Sequence, residues 1–189
     1  MPANFTETEK QEIFGRLYDE GYTFLKKAGL KNLNIRALAK ATGIATGTFY
    51  NFFPSKEEFI FQLILKKRNE SFDAFTSLAK NYPQGIPYEE ACNFFYQNLK
   101  NNNIYQYLSA DECNMLINKF QPKANEQSTL TAEFIMSKLA TNKGIKEYAL
   151  FNQSYNILII GTSDISKINT SVFDDTLKPM VAAACRILY

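Results

Sequence analysis

Residues 34–56 read NIRALAKATGIATGTFYNFFPSK, placing two short helical patterns, a glycine-centred turn and the capped start of a third helix within 23 residues. Asn34 suits the position before a helix, because its side chain can accept from N–H groups that the first turn leaves without partners. Ile35, Leu38 and Ala39 give that helix an inner face, and Gly43 suits a turn that needs positive φ. Ile44 follows as a plug for the angle between the two helices. The next helix spans about Ala45 to Phe52 and ends at Phe53-Pro54, since proline disfavours helical geometry in the residue before it. Ser55-x-x-Glu58 is a capping box that opens a long helix to about Ala79. Phe59 to Leu65, its first part, is apolar nearly all round, as a helix covered on several sides requires.

Charge is uneven along this region. Between Gly21 and Lys56 stand six basic residues, Lys26, Lys27, Lys31, Arg36, Lys40 and Lys56, and no acidic one. The whole chain carries a formal charge of only +2, so distribution matters more than sum. A compact helix-turn-helix bearing one sign of charge is what insertion into a DNA groove demands.

Upstream, Thr6-x-x-Glu9 forms another capping box, and Ile13, Leu17, Gly21, Phe24 and Ala28 recur at steps of three and four to make one buried stripe. Gly29 ends that helix. Downstream, breaks at 82–87, 100–103, 121–125, 142–144 and 166–171 separate helical patterns near 87–100, 104–120, 127–141, 145–165 and 172–188. Tyr148, Phe151, Tyr155, Leu158, Ile159 and Thr162 share one face of the fourth of these. Phe173, Leu177, Met180, Ala184 and Leu188 share a face of the last, which Pro179 is expected to bend. No useful period-two alternation occurs. The expected fold is all-α, about nine helices, with a helix-turn-helix head at 1–54 and a helical body at 55–189.

Composition removes several classes. No histidine is present, and Cys92, Cys113 and Cys185 are widely spaced, so common metal centres lack their ligands and no metal or cofactor is expected. Cys185 reads as a small buried apolar residue. Asp111-Glu112 is the most tempting acidic pair, but neighbours on a helix point apart, and neither a nucleophile motif nor a phosphate-cradling loop supports an enzyme. The longest apolar runs, such as Ile157 to Ile160, are too short for a membrane span, and the amino terminus lacks the pattern of a signal peptide. The cytoplasm is the expected location.

Gly43 to Lys56, G-I-A-T-G-T-F-Y-N-F-F-P-S-K, resembles the amino-terminal signature of TetR-family transcriptional regulators. The likeness extends over roughly residues 9–65, through Phe24 and Gly29 and the N-I-R-x-L-A-x-x-x-G run, and is architectural beyond that. It implies a homodimer with a three-helix DNA-binding head, a body that holds a small-molecule pocket, and a four-helix bundle made by the last two helices of each subunit. Thr46, Gly47, Tyr50 and Asn51 then face the groove. Gly47 admits close backbone approach, Thr46 and Asn51 can reach a base edge or backbone, and Tyr50 can donate to a phosphate. Phe49 lies on the opposite, core side. Arg36 can clamp a phosphate or pair with guanine, Lys56 can meet a phosphate, and Asn34 can cap its helix and touch phosphate at once. Two positions depart from the common pattern: Ala45 has no capping oxygen, and Thr46 has no charge.

The expected effector site is an aromatic-rich apolar pocket drawn from Phe75, Phe95, Leu99, Tyr105, Leu108, Met115, Phe134, Phe151, Asn152 and Tyr155. Ala182, Ala183 and Ala184 would let helices approach across a dimer seam. The resulting expectation is a repressor that binds a pseudo-palindromic operator in double-stranded DNA and is released by a small, largely apolar effector. The alternative is a protein–protein adaptor that has kept the head fold and lost DNA binding.

Overall fold

The computed structural model describes residues 5–124, 128–163, 169 and 171–189. Nine α-helices occur among them, with no strand. The chain divides into two compact units, Met1–Lys66 and Lys67–Tyr189. The sequence break at Pro54 marks where the helix-turn-helix ends. The first unit also takes in the opening turns of the following helix.

In the first unit, α1 spans Glu7–Ala28, α2 Ile35–Ala41 and α3 Thr46–Phe52, and α4 begins at Lys56. The capping box of α1 forms as expected: the Thr6 N–H donates to Glu9 Oε2 at 2.8 Å, and the Glu9 N–H donates to Thr6 Oγ1 at 3.2 Å. Those bonds hold the Glu9 carboxyl below its usual pKa, the bond from the Thr6 backbone being the larger cause. The buried stripe is Ile13, Leu17, Gly21 and Leu25. Phe24 is only half-buried and Ala28 is exposed, so the expected stripe drifts off the core face in its last turn. The buried positions step by four throughout, which turns the face by about 40° at each step, so the core stripe winds around α1 instead of running straight.

Phe59, from the first turn of α4, is the centre of this core. It lies 5.3 Å from Phe49 and 5.1 Å from Phe53 between ring centroids, and it is stacked on Tyr18 at 6.1 Å. A Cβ placed on Gly21 would stand 2.4 Å from Phe59 Cζ. Bare backbone at position 21 is what admits that ring. Ile60, Phe61, Leu63 and Ile64 are buried as well, in accord with an apolar start to α4.

In the second unit, α4 continues to Lys80, followed by α5 (Tyr88–Asn101), a 3-10 turn (Ile104–Tyr107), α6 (Ala110–Ala124), α7 (Ser128–Ser137), α8 (Ile145–Gly161) and α9 (Phe173–Cys185). The expected helix over 104–120 is therefore two elements. Asn103 starts the turn by accepting from the Tyr105 N–H at 3.1 Å, and Ser109 opens α6 by accepting from the Glu112 N–H at 3.2 Å. Helix α6 runs through Pro122 to Ala124, where a break was expected. Helix α7 stops at Ser137, short of the expected 141. The segment after it pairs instead in one parallel bridge, Ile86 with Leu139. The Ile86 N–H donates to Lys138 O at 2.8 Å and the Ala140 N–H to Ile86 O at 2.9 Å. Apart from Asn169 and Ser171, the expected break at 166–171 lies outside the described residues, as do Asn125 of the 121–125 break and residues 164–165 of the fourth pattern.

The core of this unit joins Phe75, Phe95, Leu99, Phe151, Tyr155, Leu158, Leu177, Val181, Cys185 and Leu188. In α9 the inward positions are Leu177, Val181, Ala184 and Cys185, whereas Met180 is 47% exposed, a correction to the expected face. The helix continues through Pro179, which sits on its exposed side. No helix among the described residues is long and apolar enough to cross a membrane.

Two glycines of α1 make opposite predictions. Gly21→Ala should destabilise the chain by roughly 1–3 kcal/mol through overpacking against Phe59. Gly15, around which an added Cβ meets nothing within 4 Å, should gain about 1 kcal/mol as alanine. Urea unfolding of the two variants checks both signs.

Candidate nucleic-acid interface

The turn that sets α3 is built from small, specific bonds. Asn34 Oδ1 accepts from the Ala37 N–H at 3.0 Å, capping α2 as its sequence position requires. At the other end of α2 the Thr42 hydroxyl, buried, donates to Leu38 O at 3.0 Å or to Ala39 O at 3.1 Å. Gly43 has φ of 74°, and the Ile44 N–H reaches back to Ala39 O at 3.0 Å. The chain thus reverses within three residues and starts α3 at Thr46. Ala45 precedes it with extended backbone and no side-chain cap bond, so α3 begins without the help α2 receives.

Helix α3 is seven residues long and amphipathic in a simple way. Phe49 is fully buried, while Gly47, Tyr50 and Asn51 are exposed and Thr46 is half-buried. Nothing lies within 4 Å of a Cβ built on Gly47, so glycine is not required there by packing within the chain. The Tyr50 ring meets Phe49 edge-on at 5.4 Å and remains 47% exposed. Arg36 and Asn34 are exposed at the start of α2. Lys26, Lys27, Lys31 and Lys40 are exposed too, and none of the five carboxylates of this unit before Lys56 lies in α2 or α3.

Lys56 has a role that sequence reasoning missed. Its Nζ donates to Leu30 O at 2.9 Å and to Lys31 O at 3.3 Å, tying the start of α4 to the loop after α1. The signal was present: a lysine at the opening of one helix, and a loop whose carbonyl groups follow a helix end and lack helical partners. A second feature not anticipated is a cleft of about 350 Å³ between α1 and the turn, lined by Glu9, Glu12, Arg16, Ile44, Ala45 and Thr48 among others. Its α1 wall carries Glu9, Glu12 and Arg16.

The effector candidates divide. Phe75, Phe95, Leu99, Leu108, Phe151 and Tyr155 are buried, Tyr105 and Phe134 are half-buried, and Met115 and Asn152 are exposed. Phe95 is the hub, 4.7 Å from Phe151 and 5.4 Å from Tyr155, and it stacks on Phe75 at 6.3 Å. Tyr155 Oη donates to Phe95 O at 2.8 Å. Burial pushes the Tyr155 phenol well above its ordinary value, and it raises Tyr105 and Tyr148 as well.

A three-helix head with a short, exposed, carboxylate-free second helix of a helix-turn-helix defines a class, the helix-turn-helix DNA-binding domains. Comparison with known proteins finds two likenesses. Residues 17–63 match the model described as bacterial regulatory proteins, tetR family. A solved structure described as a TetR-family transcriptional regulator from Mesorhizobium loti MAFF303099 shares the fold, with a TM-score of 0.59, 13% identity and 97% of each chain covered. No curated protein matches the chain. The head thus matches the tetR-family model over residues 17–63, and the chain shares the fold of that solved structure.

Lys56→Met, which keeps the aliphatic stem and removes the donors, should cost about 1–2 kcal/mol of stability. Arg36→Ala, at an exposed site, should stay within about 0.5 kcal/mol of the parent. Denaturant midpoints measured side by side test the contrast.

Proposed function

We propose that this protein is a DNA-binding transcriptional regulator that acts as a repressor, seating α3 in the major groove of a pseudo-palindromic operator. One observation carries the reading: α3 buries Phe49 and turns Gly47, Tyr50 and Asn51 outward beside Arg36, on a surface with cations and no carboxylate. Gly47 supports it further, since its missing side chain serves no packing need in the free chain and would serve backbone approach to DNA. In this reading Thr46 and Asn51 contact base edges or backbone, and Tyr50 donates to a phosphate. Arg36 clamps a phosphate or guanine, with Asn34 beside it. Lys56 contributes by fixing the α1–α2 loop, with its remaining donor free to meet a phosphate.

A palindromic operator requires two heads. The last two helices offer the surface for pairing. Leu150, Ile157 and Ile160 of α8 are exposed, as are Val172 and Met180 at and along α9. Val172, Thr176, Met180 and Ala183 follow one another at steps of four, four and three, so they form a single stripe. A groove of about 300 Å³ runs between the two helices, lined by Ile157, Thr162, Val172, Phe173, Leu177 and Met180. Such a continuous apolar stripe is what a bundle with a second copy would cover. Ala184 is packed within its own subunit and Ala182 is half-buried, so of the three alanines Ala183 would lie at the seam. Release by a small, largely apolar effector completes the reading. Its binding would open the packed cluster around Phe95, Phe151 and Tyr155.

With a duplex from the DNA beside the protein's own gene, Arg36→Ala with Tyr50→Ala should lower affinity at least about tenfold. Parent affinity should fall about 100-fold between about 50 and 200 mM salt. Gly47→Ala should fold at least as well as the parent and bind more weakly. Affinity that is flat in salt, or unchanged in the double variant, would favour the adaptor.

Ile157→Glu should convert a dimer to a monomer in sedimentation equilibrium while leaving far-ultraviolet circular dichroism unchanged. A parent chain that sediments as a monomer at tens of micromolar would refute the seam.

A further inference from the structure

Four helices start in the head, and three of them start on a side-chain cap. Thr6 caps α1, Asn34 caps α2, and Ser55 opens α4 by accepting from the Glu58 N–H at 3.1 Å. Helix α3 has no such bond: Ala45 holds the extended backbone of a cap position and brings no oxygen to it. With seven residues, α3 is too short to persist on propensity alone, so contacts with other elements have to hold it. Phe49 supplies them on the inner face, where it meets Phe59.

Phe52, the last residue of α3, carries a second set. Its ring stands edge-on to Phe14 of α1 at 5.0 Å between centroids. Phe5 lies against the same ring at 5.9 Å, inclined by 46°. Phe5 comes from the segment before α1 and shares the wall of the cleft beside the turn with Ile44, Ala45 and Thr48. Both Phe5 and Phe52 are half-buried.

An apolar residue just before an N-cap ordinarily packs on the fourth residue of the helix that follows, closing a local staple. Phe5 stands at that position before Thr6, but the fourth residue of α1 is Lys10, which turns to Glu7 at 2.5 Å. Phe5 therefore has no apolar partner at the usual place in its own helix. The capping box is complete all the same, with Thr6 and Glu9 joined at 2.8, 2.9 and 3.2 Å. Those bonds fix the direction in which the chain enters α1. Phe5 is thereby held across α3, and the staple closes between two helices instead of within one.

We propose that Phe5 is a tertiary staple that holds α3 in place of the missing cap, as a positioning residue for Tyr50 and Asn51. An aromatic contact and a side-chain cap each shift a local equilibrium by about a factor of five, so one can stand in for the other. Phe5 itself touches no DNA. Its hold on α3 is a property of the head alone, whereas the consequence for the groove rests on the regulator reading.

The test is amide hydrogen exchange on the full-length chain without DNA, followed by binding to a duplex from the DNA beside the protein's own gene. Phe5→Ala should speed exchange of the amides of Phe49 to Phe53 about fivefold and leave those of α2 and of the opening of α4 at parent rates. Adding Ala45→Ser to Phe5→Ala should bring the α3 amides back close to the parent, and Phe5→Tyr, which keeps the ring, should match the parent throughout. A loosened α3 has to be ordered on binding, so Phe5→Ala should lower duplex affinity about threefold. The salt slope should not change, because no phosphate contact is lost. Unchanged exchange in α3, an equal rise in every helix of the head, or a serine that restores nothing would each overturn the staple. A loosened α3 with parent affinity would overturn the positioning role. A parent that binds no duplex would remove the regulator reading and the positioning role with it, while the expected exchange pattern would still uphold the staple.

Discussion

Phe59 occupies the space that a side chain at position 21 would fill, and the rest of the head is arranged around that one ring. Because Gly21 offers only backbone, α4 can press its first turn against α1, and Phe59 then meets Phe49 from α3 and Phe53 from the turn behind it. The helix placed as the groove-facing element is thus fixed from its inner side, by a residue of another helix. Its outer side is left with small and polar groups because every large apolar residue of the segment has gone inward. Lys56 adds a second fastening between the start of α4 and the loop after α1. Helix α4 therefore braces the head twice over, against α3 through packing and against the loop after α1 through charge-assisted hydrogen bonds.

The body obeys a different logic. Its aromatic residues are ring against ring, with Phe95 at the centre, and the buried Tyr155 hydroxyl is satisfied by Phe95 O. Dense aromatic contact of this kind leaves polar groups few and committed, so a ligand entering there would compete with contacts already made. The apolar surface left uncovered lies elsewhere, on α8 and α9, where Leu150, Ile157, Ile160 and Met180 face outward.

Most of the head was legible in the sequence because its signals are local. Capping at Thr6 and Asn34, positive φ at Gly29 and Gly43 and the stop at Phe53-Pro54 depend on residues a few positions apart, and each is found where the pattern placed it. The slip in α1, where Leu25 and not Phe24 is buried, came from mixed steps of three and four, which hold a straight face, whereas the buried positions step by four and wind around the helix. The contacts that were not legible join distant residues. Lys56 could be read as a donor and the loop after α1 as a set of open acceptors, but nothing local pairs the two; nothing near Ile86 announces Leu139, and the choice of Val181 over Met180 for the core depends on where α5 lies. Likewise, the effector candidates were picked as inward-facing positions. That criterion selects packed core and pocket wall alike, which is why Phe95 and the exposed Met115 stood in one group.

Asn103 shows what one buried amide can bind together. Its Nδ2 donates to Thr162 Oγ1 at 2.8 Å and to Ile159 O at 3.1 Å, while its Oδ1 accepts from the Tyr105 N–H. Buried Gln106, beside it, donates to Leu99 O at 3.0 Å. The end of α8, the 3-10 turn and the end of α5 thus share one polar knot, with almost no water to replace any bond that breaks. Fraying of α8 from its carboxyl end would strand an amide in an apolar setting, so these three segments are coupled into a single cooperative patch that opens together or stays shut.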